Sequence, residues 1–499
     1  MEKNNFYKNS FTLIFSNLIT GMVGFAFAIL LSRQLGSEGL GLYGIIMPIY
    51  TLLICLIADG IIPSMSKNIT VLYNKKEYEN LVKTTKMVLK LMFFWSFIVA
   101  LIVFLMSSFI SIYIIRDYRS LYSIKILCPA LIFVALSASL KGFFYGIGKF
   151  KVPALIDVLE KIIRVSALIL VLLYIPFSDT SKAVASAFGV LAIGEVVSFS
   201  MLYTFYKKNI SKFMNTKQKR KRKFELLSNV LVVSIPLGAN GVFSSMFTTI
   251  SAVVLPRVLV FSGLSYPMAL SLMGKFSGMS LSIAMFPIII LNSISTVLIP
   301  DISANLDRKN YETIKWRIAK ILKIALWLGM ANLIVNLTIP EYLGELFFKK
   351  PYISNYIKLA SMLSVITFLI SPTIGILNGL GKQAKVLKHS LIGSSIELIL
   401  IFLLVSIPIL NIHGYIIALG ASALVVCTLN LVQINKFYAI DIPIFKIILF
   451  TITGNLIYLC INMINNIIPN IFIFTRVAII FLLSFLSVFY ICNWLDQKK

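Results

Sequence analysis

Apolar stretches about as long as a bilayer crossing follow one another along the chain, separated by short polar breaks. A hydrocarbon core ~30 Å thick takes about 20 helical residues. Windows of that length number fourteen, near 9–32, 40–66, 87–115, 121–146, 152–176, 182–206, 228–256, 266–299, 318–339, 354–379, 386–410, 412–435, 442–466 and 469–494. The pattern predicts an all-α polytopic membrane protein of about 14 transmembrane helices. The eighth window is long enough to be tilted or broken, with Pro267, Pro287 and the glycines and serines between Gly274 and Ser280 as candidate breaks.

One window differs in kind. The fifth follows the turn Gly146-Ile147-Gly148-Lys149, opens with Pro153 and carries Asp157, Glu160, Lys161 and Arg164. These positions run i, i+3, i+4, i+7 and share one helical face. At ~1.5 Å per residue, Arg164 lies about 15–20 Å above the turn, near mid-depth of the core. Charges at that depth face protein, water or a polar ligand rather than lipid.

The breaks between windows are basic. Lys and Arg number 46 against 19 acids, a net charge of +27, in a chain that is 59% hydrophobic and only 13% charged. So few charges cannot cover a soluble protein of 499 residues, and the excess suits loops on anionic headgroups rather than nucleic-acid binding. With the N-terminus in the cytoplasm, about three Lys or Arg fall inside for each one outside, which puts both termini in the cytoplasm. External loops are then short throughout. No cleavable signal is evident, because the first apolar run is too long for one and lacks a small-x-small site. The densest run, Lys217–Lys223, reads as a solvated linker or as a regulatory docking site.

That linker divides an internal repeat. Ile62-Pro63-Ser64-Met65-Ser66-Lys67-Asn68 resembles Ile299-Pro300-Asp301-Ile302-Ser303-Ala304-Asn305 at an offset of 237, and Gly146-Ile147-Gly148-Lys149 resembles Gly379-Leu380-Gly381-Lys382 at 233. The unit is six helices, and an even number makes the two lobes parallel repeats. The division expected is an N-lobe over 1–208, a basic cytoplasmic linker over 209–227, a C-lobe over 228–437 and two additional helices over 438–499.

Enzyme signatures are absent. The two histidines, His389 and His413, make no HExxH or metal cluster, and there is no P-loop, no GxSxG and no large acid-bearing external loop. The five cysteines, Cys55, Cys128, Cys427, Cys460 and Cys492, lie in or at the ends of apolar runs without metal-ligand spacing and read as reduced core residues. No catalytic residue, cofactor or metal is expected. What remains is a set of intramembrane charges, and these in a repeat-built bundle point to a transporter.

Each charge has a functional and a structural reading. Arg164 with Glu160 is either a cavity site or an intrahelical ion pair. An offset of 233 puts Glu397 at the counterpart of Arg164, so the two are expected to line one cavity. Lys275 either lines that cavity or snorkels to the outer interface. Arg257, after Pro256, and Arg33, before Leu35-Gly36, are ligands or interface anchors. Asp59 and Glu195, beside helix-packing glycines, bind a coupling ion or make local hydrogen bonds, and Asn240, Asn332 and Asn336 read as interhelical hydrogen-bonders. Arg164, Lys275 and Arg257 tilt the cavity towards cations, which suits a phosphate or pyrophosphate. A cation exporter would show an acid-dominated one.

These residues also carry a resemblance. Arg33-Gln34-Leu35-Gly36-Ser37-Glu38-Gly39-Leu40-Gly41-Leu42-Tyr43-Gly44, Pro48-Ile49-Tyr50 and Gly60-Ile61-Ile62-Pro63 resemble the stage V sporulation protein B and MurJ-type lipid II flippase family, within the multidrug/oligosaccharidyl-lipid/polysaccharide exporter superfamily. Gly142-Phe143-Phe144-x-Gly, Glu160-x-x-x-Arg164, Pro256-Arg257 and Gly274…Gly278-Met279 agree with it, and the likeness covers windows one to twelve. It implies two six-helix lobes with two further helices framing a lipid-tail groove, in a multi-pass protein of the bacterial cell membrane. It also implies outward flipping of a polyprenyl-pyrophosphate-linked saccharide by alternating access, with cell-wall synthesis proteins as partners in sporulation. The family's Glu and Arg of the fifth helix fall on Glu160 and Arg164, and its Arg after the seventh helix's Pro falls on Arg257. The chain departs at Lys149, at Asp59, where a small residue is usual, and in lacking an arginine cluster on the first helix. Teichoic or capsular saccharides and a multidrug/cation antiporter stay open as alternatives.

Overall fold

The computed structural model describes residues 3–174, 179–210, 223–438, 444–467 and 472–497. Among these there is no strand, and the long helices are α1 Lys3–Ala58, α3 Tyr78–Leu105, α4 Leu121–Gly146, α5 Lys151–Tyr174, α6 Thr180–Ile210 and α7 Lys223–Phe261 in the first part, with α2 Ile61–Asn74 extending α1. Then come α8 Tyr266–Met285, α9 Ile288–Asp307, α10 Tyr311–Thr338, the short α11 Pro340–Phe348, α12 Ser354–Gly379, α13 Gln383–Leu400, α14 Asn411–Asn435, α15 Ile444–Ile467 and α16 Ile473–Gln497. The chain is a multi-pass membrane protein. The run from Lys217 to Arg222 lies outside the described residues.

Local chemistry explains where the helices bend. The first two windows are joined without a loop: α1 runs through both and departs from helical geometry at Gly36, whose φ of 65° suits a residue with no Cβ. The eighth window divides as its residues suggest. Pro267 sits in the first turn of α8, where its missing N–H costs nothing. Gly274–Ser280 is a π-helical turn within α8, and the helix stops at Phe286-Pro287 before α9 begins. A further break, at Asp59-Gly60 between α1 and α2, falls inside the second window, with Gly60 left-handed at φ 78°.

Contacts divide the chain into two compact units, Met1–Val254 and Leu255–Lys499. The boundary falls within α7, so most of that helix belongs to the first unit. It runs antiparallel to the second half of α1 and to α2. Asn68 donates to the Asn229 carbonyl at 3.0 Å, Asp59 and Gly60 meet Gly238 and Gly241, Cys55 meets Ser245 at 3.0 Å, and Thr249 donates to the Pro48 carbonyl at 3.0 Å.

The units repeat each other closely. Lys76 and Lys309, Arg116 and Lys349, and Gly148 and Gly381 are all left-handed, and each pair is 233 residues apart. Helix α4 packs on α2, α3 and α6 in the first unit as α12 packs on α9, α10 and α14 in the second, and α5 pairs with α6 as α13 does with α14. The hydrogen bond from Thr70 to the Gly146 carbonyl, 3.0 Å, returns as Ser303 to Gly379, 2.8 Å. Gly146 lies against Ile69 and the Ser66 carbonyl, and Gly379 against Ile302 and the Ile299 carbonyl. The register of α2 on α9 is therefore 233. The Ile-Pro motifs matched at 237 are four residues out of register, about one helical turn, so that likeness is local.

Candidate functional site

The first unit gathers its intramembrane charges where α5 and α6 meet. The apolar face of α5 is exposed at Leu155, Ile162, Ile169 and Leu170, while its polar face turns to α6. There the Arg164 guanidinium uses two edges: Nε faces the Glu160 carboxylate one turn below, and Nη2 donates to Glu195 Oε1 at 2.5 Å. Lys161 lies 3.3 Å from the second Glu160 oxygen, and one turn lower Asp157 takes the Lys141 ammonium of α4 at 2.6 Å. Glu160 is almost completely buried.

Gly194 explains the closeness. A Cβ there would stand 2.7 Å from both Arg164 Cγ and Glu160 Oε1, so only glycine lets α6 come down on the pair while the next residue, Glu195, reaches round it. Tyr50 of α1 lies beside Arg164 and Glu195, 3% exposed, and its hydroxyl has no hydrogen-bond partner among the described residues.

The structure thus joins Glu195, expected to bind a coupling ion or make local hydrogen bonds, to the Glu160–Arg164 pair. Two acids and two bases, Glu160 and Glu195 with Arg164 and Lys161, cancel in charge. Within this cluster the guanidinium is already held by carboxylates. The geometry places a polarised, ion-paired cluster between membrane helices.

The remaining candidates lie elsewhere. Arg33 is exposed, three residues before the Gly36 bend. Asp59 is exposed at the α1–α2 break and accepts from its neighbour's backbone, Gly60 N–H, at 3.0 Å. In the second unit, Arg257 is half-buried on α7 and Lys275 on the π turn of α8, its ammonium 5.4 Å from the Tyr352 ring centre. Beside it Lys350, outside the spans, is held below the ordinary lysine range, first by burial and then by the Lys275 charge. Glu397, half-buried on α13, lies beside Tyr415, which stacks edge-on to Phe276 of the π turn at 5.8 Å and hydrogen-bonds Ser277. Asn332 reaches across from α10 to the Ala284 carbonyl at 2.8 Å, the interhelical role expected of it.

Two clusters went unread in the sequence. Arg119 joins Asp117, 2.8 Å, and Glu38, 2.7 Å, just after the Gly36 bend. Arg476, 6% exposed, donates to Asn465 and to Tyr342, binding α16 to α15 and α11. Each also reaches a partner far along the chain, Glu38 from Arg119 and Tyr342 from Arg476, which no local spacing marks.

The family model for polysaccharide biosynthesis proteins matches residues 6–306. The chain belongs to that family. It is 24% identical over 449 residues to stage V sporulation protein B of Bacillus subtilis (strain 168), covering 89% of this chain and 86% of the relative. Among solved structures, the lipid II flippase MurJ in an inward closed conformation aligns with a TM-score of 0.65 at 17% identity, over 98% of this chain and 99% of MurJ. An inward-facing multidrug resistance transporter of the MATE family, in the MOP superfamily, aligns with a TM-score of 0.65 at 15% identity, over 86% and 98%. At these identities the two structures establish the fold alone.

Proposed function

We propose that the chain flips a polyprenyl-pyrophosphate-linked saccharide, lipid II for the spore cell wall, from the inner to the outer leaflet by alternating access. The observation that carries this reading is a guanidinium at mid-depth, shared between two carboxylates, in a member of a polysaccharide-biosynthesis family. A pyrophosphate cannot enter hydrocarbon unaided, since desolvating it costs many kcal/mol. Glu195 is the more exposed of Arg164's two partners, at 19% against 6% for Glu160, and is the arm a pyrophosphate oxygen would replace. Glu160 would hold the guanidinium in place throughout. Lys275, Arg257 and Arg33 would supply further cationic contacts, and Glu397 a further carboxylate in the second unit. Both termini lie in the cytoplasm in this reading, with basic loops on anionic headgroups.

The test is lipid II translocation in proteoliposomes under an imposed membrane potential, with wild type, Arg164→Lys and Arg164→Ala compared per folded molecule. Flipping is expected from wild type, reduced in Arg164→Lys and lost in Arg164→Ala. A wild type that leaves lipid II in place but exports an organic cation overturns the reading in favour of the multidrug branch. Transport of a teichoic or capsular lipid instead of lipid II would keep the class and change the saccharide.

A further inference from the structure

The two units build the same corner and close it differently. In the first, the π turn Ile110–Ile115 ends on left-handed Arg116, and a 3-10 turn, Tyr118–Ser120, leads into α4. In the second, 233 residues on, α11 ends on left-handed Lys349, and a 3-10 turn, Pro351–Ile353, leads into α12. The first corner carries its own counter-ions. Arg119 pairs with Asp117 at 2.8 Å and with Glu38 at 2.7 Å, which latches the turn to the second half of α1. At the same offset, Lys350 stands for Asp117 and Tyr352 for Arg119. An acid has become a base, and the latch is missing.

The second corner gathers cations instead. The π turn of α8, Gly274–Ser280, packs on the 3-10 turn and brings the Lys275 ammonium 5.4 Å from the Tyr352 ring centre. Both backbones are fixed. The Ser280 hydroxyl donates to the Lys275 carbonyl at 2.9 Å, and the Lys350 N–H donates to the Gly344 carbonyl at 3.1 Å. A Cβ on Gly344 would stand 2.7 Å from the Lys350 carbonyl, and Phe348 and Ile353 on either side are buried. The Lys275 charge reaches the Lys350 ammonium. Among the described residues neither lysine has a carboxylate within ion-pair distance. Both are half-buried, and Tyr352, 57% exposed, leaves the corner open on one side. Two ammonium groups held together repel each other unless an anion comes between them.

We infer that Lys275, Lys350 and Tyr352 form a phosphate-binding site, built from residues of the second unit alone. Ammonium groups take phosphate oxygens as partners in charge-assisted hydrogen bonds. A bound phosphate would tie the π turn of α8 to the turn before α12, as Arg119 and Glu38 tie the matching corner of the first unit. One repeat is latched by its own side chains and the other by a ligand. The inference rests on the flippase reading only for its side of the membrane. With both termini in the cytoplasm, the corner lies on the outer side, within reach of free phosphate or of a phospholipid headgroup.

The test uses the full chain in dodecyl maltoside and reads the acylation of each lysine by an amine-reactive ester, peptide by peptide, in a mass spectrometer. One arm adds inorganic phosphate against chloride at equal ionic strength. The other adds phosphatidylglycerol to the micelles against dioleoylglycerol, which has no phosphate. Lys350 should be acylated several-fold more slowly with phosphate bound. Protection by inorganic phosphate assigns the free anion, and protection by phosphatidylglycerol alone assigns the headgroup. Lys275→Gln should abolish the protection at Lys350, and Arg164→Lys should keep it. Equal protection by chloride, protection that survives Lys275→Gln, or none in either arm overturns the site. Should Lys275→Gln fail to fold, Lys275→Met takes its place, and Lys275→Arg is expected to retain the protection. Protection at Lys350 in a protein that moves no lipid II leaves this inference standing and removes the flippase reading. Lipid II flipping without protection at Lys350 does the reverse.

Discussion

The helices α4, α5 and α6 and their counterparts α12, α13 and α14 share a scaffold and differ in chemistry. In the first unit they hold ions: Lys141 with Asp157, and Lys161, Glu160, Arg164 and Glu195 in one chain of contacts. In the second, 233 residues on, Glu160 is replaced by Gly393 and Arg164 by Glu397. One buried contact there is neutral. Asn430, fully buried, donates its amide to Thr373 at 3.1 Å and so offers its oxygen to His389 Nδ1 at 2.8 Å, which must carry the proton. The second copy of the bundle forms without a counterpart of the Glu160–Arg164 pair, so the scaffold does not need that pair. Burying an ion pair seldom stabilises a protein relative to apolar side chains.

Breaking the ionic side should have the largest effect. Arg164→Leu strands two carboxylates, and unfolding measured by denaturant titration should show a loss of about 3–5 kcal/mol. The triple change Glu160→Leu, Arg164→Met, Glu195→Leu should recover most of that stability but no transport. If the triple variant stays as unstable as Arg164→Leu, the cluster is structural and the comparison fails. Next comes Gly194→Leu, which drives a side chain into Arg164 and Glu160 and should cost about 1–3 kcal/mol, with helix α6 displaced in a crosslinking assay. On the neutral side, Asn430→Leu leaves His389 and Thr373 without their shared partner, for a loss of about 1–3 kcal/mol. Translocation per folded molecule should be unchanged. The smallest effect belongs to Tyr50→Phe. It removes a buried hydroxyl that bonds nothing among the described residues, so stability should move by less than about 0.5 kcal/mol. A larger loss would mean that the hydroxyl serves Arg164 or Glu195 in a conformation other than this one.

The sequence was most informative where chemistry is local. Apolar length located the crossings, and Gly274–Ser280 and Pro287 located irregular turns, because glycine, serine and proline act on their own backbone. The polar face of α5 was legible for the same reason: four residues at helical spacing declare a face. Its partner was not. Glu195 reaches Arg164 from 31 positions away, and only the adjacent Gly194 hinted that something comes close there. The Ile-Pro likeness misled because a four-residue slip preserves a helical face, so a motif can match one turn out of register. Contacts that fix the register, such as Thr70 to Gly146, depend on a third helix and leave no trace in either segment alone.

Gly36 has a mechanical consequence. The first two crossings meet at one residue, with no slack between them. The first half of α1 is tied to α5 by Ser16, which donates to the Ala154 carbonyl at 2.9 Å, and the second half is tied to α7 by Pro48 and Thr249. Adding one residue at Gly36 would turn one half by about 100° against the other and aim one of those attachments at the wrong neighbour. The first two crossings therefore behave like meshed gears: their lengths cannot drift independently, and an insertion that an ordinary loop would absorb becomes a rotation of a whole helix.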